Sequence, residues 1–490
     1  MGRSAFLYAG FVKNLGLDPT ECQDKLFKEI SEFVTSDEDC MVVNGYAGTG
    51  KTTALASVIR TLAFFQVNCV LLAPTGRAAK VLSGFAGMPA YTIHKKIYRQ
   101  KSLGSDGYGD FSLAPNEMKA SLFIVDEASL IGIDNNGQSL SNFGTGNLLE
   151  DLLSYVRRGV DCKLILVGDT AQLPPIGQEQ SPALSHDYMS MLGASRFATL
   201  KTVVRQQGES GILWNATHLR ELITEVSQLD DDGFSYSPGI DSIPADELGL
   251  IADGFPDVVR ITGGELIEAL SDAYSRYGED ETVVLCRSNK RANRYNAGIR
   301  SSIQYKEERL VRGDKLMIVK NCYQFVEDVE GLEYIANGDI AKLIKISRYE
   351  DRYGLHFAEA RLALPDYGNQ EIVAKVILDT LDSESASLTY DQQQALYHGV
   401  NDDYSHINTK RKRYEAVRED KFFNALQLKY ANAITCHKSQ GGQWSCVFID
   451  NPFWQDELMA EDLRWLYTAI TRGVEKVYLV NFKDEYFQGV

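Results

Sequence analysis

The segment 45–52 carries the strongest chemical signal in the chain. It is Gly-Tyr-Ala-Gly-Thr-Gly-Lys-Thr, which fits the pattern G-x-x-x-x-G-K-[ST], and it lies between a short apolar run and a run typical of a helix. Its glycines allow the backbone to fold so that N–H groups and the positive end of the helix point at phosphate oxygens. The segment therefore predicts a site for ATP and Mg²⁺. The residues predicted to contact the nucleotide are Gly48, Thr49, Gly50, Lys51, Thr52 and Thr53.

Two carboxylates follow another apolar run, 122–125. Asp126 and Glu127 come directly after this run, and ligands of open parallel sheets collect at the carboxyl ends of the strands. We predict that Asp126 holds Mg²⁺ together with the Thr52 hydroxyl, and that Glu127 orients and deprotonates the attacking water. A pair of acids at a strand end is ordinarily surface charge, but together with a phosphate loop it indicates ATP hydrolysis.

A glutamine follows the next apolar run, 164–167. Gln172 lies in the sequence Gly-Asp-Thr-Ala-Gln-Leu-Pro-Pro, residues 168–175. Its amide has the reach and the donor group to contact a γ-phosphate, and the rigid proline pair would transmit the loss of that phosphate. The alternative is a proline-stiffened loop with no part in catalysis.

The elements that must position these residues follow an alternating pattern. From residue 40 onward, short apolar runs alternate with segments of helical length, which indicates a parallel sheet covered by helices on both faces. The same pattern returns later in the chain, so we predict a second α/β unit. The apolar runs of the first unit begin at residues 40, 70, 122 and 164, and those of the second at residues 282, 446 and 477.

Two insertions interrupt these units. The segment 92–120 is rich in glycine and aromatic residues and predicts a β-hairpin in the first unit. A β-rich segment with an Asn337-Gly338 turn predicts a small antiparallel barrel, and the polar segment after it predicts helices. The predicted boundaries are 1–185 for the first unit, 186–308 and 425–490 for the two parts of the second, 309–383 for the barrel and 384–424 for the helical segment.

Length and composition are those of a multidomain globular protein. The chain has 490 residues, 44% of them hydrophobic and 24% charged, which is too long for one compact core. No apolar run approaches the roughly 18 residues needed to cross a bilayer, and the start of the sequence lacks a signal-peptide pattern, so we expect a cytoplasmic protein. The eight cysteines are scattered without a Cys-x-x-Cys pair, which favours buried thiols over zinc or disulfides.

The charge of the chain limits how it would bind a polyanion. The formal net charge is −17, whereas phosphate contacts come from lysine and arginine. A nucleic acid would therefore have to bind in a channel with local donors rather than on a broad basic face. The basic run 410–413 either contacts phosphate or forms a solvated helix face.

Taken in order, these segments resemble the motifs of superfamily 1 helicases, in particular the RecD-like branch that includes the phage Dda helicases. The resemblance spans nearly the whole chain. Segments 73–80 and 92–94 resemble motifs that contact single strands, and segments 433–442 and 466–472 resemble the fifth and sixth motifs, which separate RecD-like helicases from most other P-loop ATPases. The fifth motif departs from many members by carrying Gln443 after its glycines. The resemblance implies two RecA-like lobes, with an SH3-like barrel and its arm inserted in the second.

The resemblance also assigns roles to individual residues. It implies that an arginine from each of two motifs reaches the γ-phosphate, and Arg472 and Arg205 are the candidates, with a structural salt bridge as the alternative for either. Gln23 lies where family members read the adenine edge. Tyr108 and Phe111 are candidates for the pin that separates the duplex, and ordinary loop aromatics are the alternative. The other residues expected to contact DNA are Pro74, Thr75, His94, Thr435, His437 and Lys438.

The function implied is that of a DNA helicase driven by ATP. Such a protein would translocate on single-stranded DNA from 5′ to 3′, bind junctions of single and double strands, and act with replication, recombination or repair proteins. Three alternatives remain open. They are an RNA helicase of the same superfamily, a translocase that does not unwind, and a scaffold whose phosphate loop regulates binding to protein partners.

Overall fold

The computed structural model describes residues 2–103, 109–133, 142–204, 210–227, 242–322, 324–326 and 335–488. These residues form two parallel α/β lobes and a closed barrel, which confirms the predicted fold class. In the described ranges, no helix is long and apolar enough to span a membrane.

The first lobe is built on a six-stranded sheet whose paired strands all run parallel, in the order β3-β2-β6-β8-β1-β9. Its strands are β1 Cys40–Gly45, β2 Asn68–Ala73, β3 Ala90–Thr92, β4 Tyr98–Leu103, β5 Gly109–Leu113, β6 Ser121–Val125, β7 Asn142–Phe143, β8 Lys163–Gly168 and β9 Arg196–Leu200. Its helices are α1 Arg3–Leu15, α2 Glu21–Thr35, α3 Lys51–Phe64, α4 Gly76–Ala86, α5 Ile93–Ile97, α6 Leu148–Arg158 and α7 His186–Met191.

Burial on both faces explains why the strands of this sheet are continuous apolar runs. Successive side chains of a strand point to opposite faces. In β1, Cys40 and Val42 join one hydrophobic cluster, and Met41 and Val43 join the cluster on the other side of the sheet. Helices therefore cover both faces, as the sequence pattern predicts.

The predicted hairpin is present. Strands β4 and β5 pair antiparallel, and β7 pairs parallel to β5. The predicted boundary of the first lobe differs from the structure, because β9 pairs with β1 and so belongs to the first sheet although it follows residue 185. Since β9 is an edge strand with only partial burial, it lacks the apolar signal of the inner strands.

The second lobe and its insertion contain the remaining elements. The strands are β10 Ser242–Pro244, β11 Val258–Ile261, β12 Thr282–Cys286, β13 Lys315–Ile318, β14 Ile340–Arg352, β15 Leu355–Leu364, β16 Gln370–Ile377, β17 Leu426–Tyr430, β18 Ala433–Thr435, β19 Trp444–Asp450, β20 Glu457–Met459 and β21 Gly473–Val480. The helices are α8 Gly211–Ser227, α9 Leu266–Tyr277, α10 Asn289–Ser302, α11 Tyr390–Asp403, α12 Lys410–Glu419, α13 Cys436–Ser439 and α14 Ala460–Ile470. The second sheet is parallel, in the order β11-β21-β19-β12-β18.

The inserted barrel closes through five strands, β13 to β17. The predicted barrel, 309–383, contains only the first four. The fifth strand, β17, follows the two helices of the predicted arm and pairs with both β13 and β16. Because only two residues separate β17 from β18 of the second sheet, its sequence resembles a continuation of that sheet.

The basic run 410–413 opens helix α12. Arg411 pairs with Glu415 one turn later at 3.0 Å, and Arg413 donates to the backbone oxygens of Ser405 and Ile407. These contacts stabilise the helix and the loop before it. They favour a solvated helix face over a phosphate contact for this run.

Candidate active site between the lobes

A cavity of about 390 Å³ lies between the two lobes. The predicted residues that line it are Gly48, Gly50, Lys51, Thr52, Thr53, Asp126, Glu127 and Gln172 from the first lobe and Arg472 from the second. The phosphate loop has the expected backbone, since Gly48 and Gly50 have positive φ angles of 75° and 73°, a conformation that glycine adopts without strain. Nine residues predicted from separate parts of the sequence therefore line one space.

The two acids after β6 have different surroundings. Asp126 accepts from the N–H of Glu127 at 2.9 Å, and burial together with the Glu127 charge raises the pKa of Asp126 to about 6, while Lys51 acts in the opposite direction. Glu127 has a φ of 54°, a strained value for a non-glycine residue. In the described part of the chain, its Oε2 is buried without a hydrogen-bond partner. That oxygen is thus available to accept a hydrogen bond from a molecule in the cavity.

The residue after Gln172 is hydrogen-bonded to the second lobe through both its N–H and its carbonyl. The Gln172 side chain is 5% exposed, and its Oε1 has no partner among the described residues. The N–H of Leu173 donates to the Thr468 hydroxyl at 2.9 Å, and the Leu173 carbonyl accepts from Gln440 at 2.9 Å. The turn after Gln172 is therefore connected to both the fifth and the sixth motif.

Arg472 enters the cavity from the second lobe. Its guanidinium is buried and donates to the backbone oxygens of Thr468 at 3.1 Å and Gly442 at 3.2 Å, and to the Thr471 hydroxyl at 3.3 Å. None of these partners carries a charge. The positive charge can therefore act on an anion in the cavity. The other predicted arginine, Arg205, lies outside the described residues.

Gln23 lies behind the phosphate loop. Its amide donates to the Thr49 carbonyl at 3.2 Å and accepts from the Thr20 N–H at 3.1 Å. Thr49 is itself buried, and its hydroxyl donates to the Tyr46 carbonyl at 2.8 Å. Gln23 and Thr49 thus shape the loop from inside, and the adenine contact of Gln23 stays a prediction.

Three of the predicted DNA contacts in the first lobe lie at neighbouring strand ends. Pro74 and Thr75 follow β2, and His94 follows β3, which pairs with β2. The Thr75 hydroxyl caps α4 by accepting from the Ala78 N–H at 3.2 Å. Burial lowers the pKa of His94 to about 4, so this imidazole is neutral at pH 7 and would contact DNA without adding charge.

The two candidates for the separating pin differ in what the structure describes. Phe111, on β5, is partly buried and packs against the hydrophobic cluster of the first lobe. Tyr108 lies outside the described residues. A pin role for either residue stays a prediction, and the packing of Phe111 suits an anchor for the hairpin.

The predicted DNA contacts of the second lobe lie on and beside α13. Thr435 precedes the helix and makes no side-chain cap, and burial lowers the pKa of His437. Burial and the nearby Lys429 lower the pKa of Lys438 to about 8. In the described part of the chain, the Lys438 ammonium is buried without a hydrogen-bond partner. Such a group is costly unless an anion pairs with it, which fits a DNA phosphate.

Sequence reasoning missed several residues that join the lobes. Tyr467 and Thr468 hydrogen-bond to the first lobe, and Arg77 of the first lobe stacks on Trp444 of the second, 4.1 Å from the ring centre. All four lie in or beside segments that resemble motifs, and that is the signal that marks them. Their partners come from distant parts of the chain, so only the structure pairs them.

Two family models match this chain. Residues 23–234 match the model of an AAA domain, and residues 430–480 match that of the UvrD-like helicase C-terminal domain. The ATP-dependent DNA helicase dda of Enterobacteria phage T4 is 23% identical over 94% of this chain and 99% of its own length. The ATP-dependent RecD2 DNA helicase of Deinococcus radiodurans is 32% identical over 28% of this chain and 16% of its own length.

Other matches are more distant. An uncharacterized protein of Methanocaldococcus jannaschii is 21% identical over 90% of this chain, which spans 36% of that protein's length. A crystal structure of Pif1 helicase from Bacteroides, in complex with ADP-AlF3 and ssDNA, is 16% identical, covers 96% of this chain and 94% of its own, and has a TM-score of 0.48.

The phosphate loop, the acids at the end of β6 and the facing arginine define a P-loop NTPase with two RecA-like lobes. The sequence matches narrow this class. They support a superfamily 1 helicase of the RecD-like and Dda-like branch.

Proposed function

We propose that the protein hydrolyses ATP to move along single-stranded DNA from 5′ to 3′ and to unwind duplex DNA ahead of it. One observation carries this proposal. Residues of the phosphate loop, both acids and Gln172 line the same cavity as an arginine from the other lobe. A site divided between two lobes can convert nucleotide binding and release into relative motion of those lobes. The match with the phage helicase over almost the full length of both chains supports DNA as the track.

The roles proposed for the site residues follow from their chemistry. Lys51 and the phosphate-loop N–H groups bind the phosphates of ATP. Glu127 accepts a proton from the attacking water through its unpartnered oxygen, and Gln172 contacts the γ-phosphate. The planar guanidinium of Arg472 stabilises the negative charge that spreads over the phosphate oxygens in the transition state.

The first lobe has a donor set that fits Mg²⁺. The Thr52 hydroxyl and the Asp126 carboxylate both line the cavity, and Mg²⁺ prefers such oxygen ligands alongside substrate phosphates. We infer that these two residues hold the ion. When bound, it neutralises phosphate charge.

The proposed DNA path crosses both lobes. Pro74, Thr75 and His94 would contact the strand on the first lobe, and His437 and Lys438 on the second. Closing the lobes around ATP would shorten the distance between these two sets of DNA contacts, and release of the products would restore it. Repeated cycles would then advance the protein along the strand.

The test is ATP-dependent strand separation of duplexes that carry a single-stranded tail at either the 5′ or the 3′ end. We expect unwinding of the 5′-tailed duplex only, and none by Lys51→Ala. No unwinding of either substrate would refute the helicase activity, and unwinding of only the 3′-tailed duplex would refute the direction. Stimulation of the ATPase by RNA but not by DNA would refute DNA as the track.

The proposed partners are single-stranded DNA and its junctions with duplex. Proteins of replication or recombination are further candidate partners, because such proteins work at the same junctions. The proposed location is the cytoplasm of a bacterial or phage-infected cell, where this DNA lies.

A further inference from the structure

The hydroxyl of Tyr467 lies between the two lobes. Tyr467 belongs to α14 of the second lobe, and its hydroxyl donates to Asp169 Oδ2 at 2.8 Å and accepts from the Ala47 N–H at 2.9 Å. Asp169 follows β8, and Ala47 lies within the phosphate loop. One hydroxyl therefore connects two nucleotide-binding segments of the first lobe to one helix of the second.

The groups in this contact are enclosed. Tyr467 and Asp169 are each 1% exposed, and the tyrosine ring packs in a hydrophobic cluster that includes Ala171 and Leu173 of the first lobe. Burial raises the pKa of Asp169, although Lys51 opposes it. Burial and the Asp169 charge hold the pKa of Tyr467 well above its usual value, so the hydroxyl stays protonated and keeps donating.

The same turn of chain that holds Tyr467 also places Arg472. The Thr471 N–H donates to the Tyr467 carbonyl at 3.0 Å, and the Arg472 side chain donates to the Thr468 carbonyl at 3.1 Å. Thr468 in turn accepts from Leu173 of the first lobe at 2.9 Å. The side chains at 467 and 468 thus bind the first lobe, while the side chain at 472 lines the cavity.

We propose that Tyr467 is a positioning residue that holds Arg472 in register with the phosphate loop. The tyrosine is not among the residues that line the cavity, and it acts through the arginine. When the lobes separate, its hydroxyl loses both partners in the first lobe, and the arginine leaves its catalytic position at the same time. The inference rests on the proposed function, since it takes ATP at the phosphate loop as the substrate.

Tyr467→Phe tests this role because it keeps the ring and removes only the hydroxyl. We expect the kcat of the ATPase, with and without single-stranded DNA, to fall at least tenfold. The affinity for ATP, measured by equilibrium titration, should stay within threefold of wild type because the phosphate-loop contacts remain. That retained affinity also demonstrates a folded first lobe.

Tyr486→Phe is the matched control. Tyr486 is a buried tyrosine of the second lobe whose hydroxyl has no hydrogen-bond partner among the described residues. Its loss should leave kcat within twofold of wild type. A comparable loss of kcat in both variants would show that any buried hydroxyl of this lobe matters and would overturn the specific role of Tyr467.

A double-mutant cycle separates positioning from general stability. Arg472→Lys should slow hydrolysis, because an ammonium does not match the arginine fork. If Tyr467 acts through Arg472, adding Tyr467→Phe to Arg472→Lys should slow it by less than threefold more. Fully multiplicative losses, or a normal kcat for Tyr467→Phe alone, would overturn the proposal. Absence of unwinding by the wild-type protein would instead refute the proposed function. The ATPase comparison would still test Tyr467, because it does not depend on strand separation.

Discussion

Asp126 and Glu127 are neighbours in sequence but have different chemical positions. Asp126 is held by a backbone N–H and has a raised pKa, whereas Glu127 has an unpartnered oxygen and a strained backbone. The sequence alone predicts that both acids belong to an ATP site. It does not predict which oxygen is free to take a proton, because that depends on side chains from other elements.

Glu127→Gln should bind ATP with near-normal affinity but hydrolyse it at least ~100-fold more slowly, since an amide cannot accept the proton of the attacking water. Steady-state ATPase rates and a nucleotide-binding titration measure the two effects. Glu117→Gln, at an exposed glutamate of the same lobe, serves as the control and should behave like wild type. Near-normal turnover in Glu127→Gln would remove Glu127 as the base.

The lowered pKa of Lys438 leads us to expect that DNA binding depends on pH. Its pKa is lowered to about 8, so the ammonium is present below that pH and is lost as the pH rises through it. A bound phosphate favours the charged form and moves the loss of affinity somewhat higher. We expect the affinity for single-stranded DNA to fall between pH 8 and pH 10, and Lys438→Arg to remove this fall because arginine stays charged.

The salt dependence of binding gives a second check on the same residue. Each phosphate contact on a single strand contributes about 0.7 to the slope of log affinity against log salt. At pH 7, Lys438→Ala should lower the slope by about that amount. An unchanged slope together with an unchanged pH profile in Lys438→Arg would exclude a phosphate contact.

At the scale of elements, helix α4 joins the first lobe to the barrel. The Lys80 ammonium on α4 lies 2.8 Å from Asp339 Oδ1 and 3.5 Å from the ring centre of Tyr367. Asp339 lies in the loop before β14, is fully buried, and also accepts from the Tyr367 hydroxyl at 2.8 Å. Because the predicted DNA contact Thr75 caps the start of α4, this ion pair would hold the barrel beside the proposed DNA path.

Lys80→Met should lower the free energy of unfolding by about 1–3 kcal/mol, because Asp339 would remain buried without its charged partner. Adding Asp339→Asn should restore part of the loss. Thermal unfolding monitored by circular dichroism measures both variants. Equal stability of Lys80→Met and wild type would mean that the pair contributes nothing to holding the barrel.

The elements also show where sequence reasoning succeeds and where it fails. Strands β1, β6 and β8 are buried on both faces and give unmistakable apolar runs. Strand β9 is a half-buried edge strand, and its place in the first sheet becomes visible only through its pairing with β1. Strand β17 pairs with β13 across more than a hundred residues of chain, and no local pattern records such a partner.

At the scale of the whole molecule, the net charge of −17 opposes the approach of DNA, although the proposed local donors would bind it. The range of this repulsion shrinks from about 30 Å at 0.01 M salt to about 10 Å at 0.1 M. We therefore expect the association rate with single-stranded DNA to rise over this range, the opposite of a basic protein. Stopped-flow binding of a labelled oligonucleotide measures it. An association rate that falls steadily with salt would show that the positive charge of the DNA channel, rather than the net negative charge, dominates at long range.

The order of strands in the second sheet also has a consequence for how the protein is made. Strand β12 lies between β18 and β19, which the ribosome synthesises only after the whole barrel and its arm. The first lobe, by contrast, has all of its described strands once residue 200 has emerged. Contacts between distant segments form slowly and leave apolar edges exposed in the meantime. The nascent chain should therefore bind nucleotide well before it can hydrolyse it, and β12 should be the segment most in need of a chaperone.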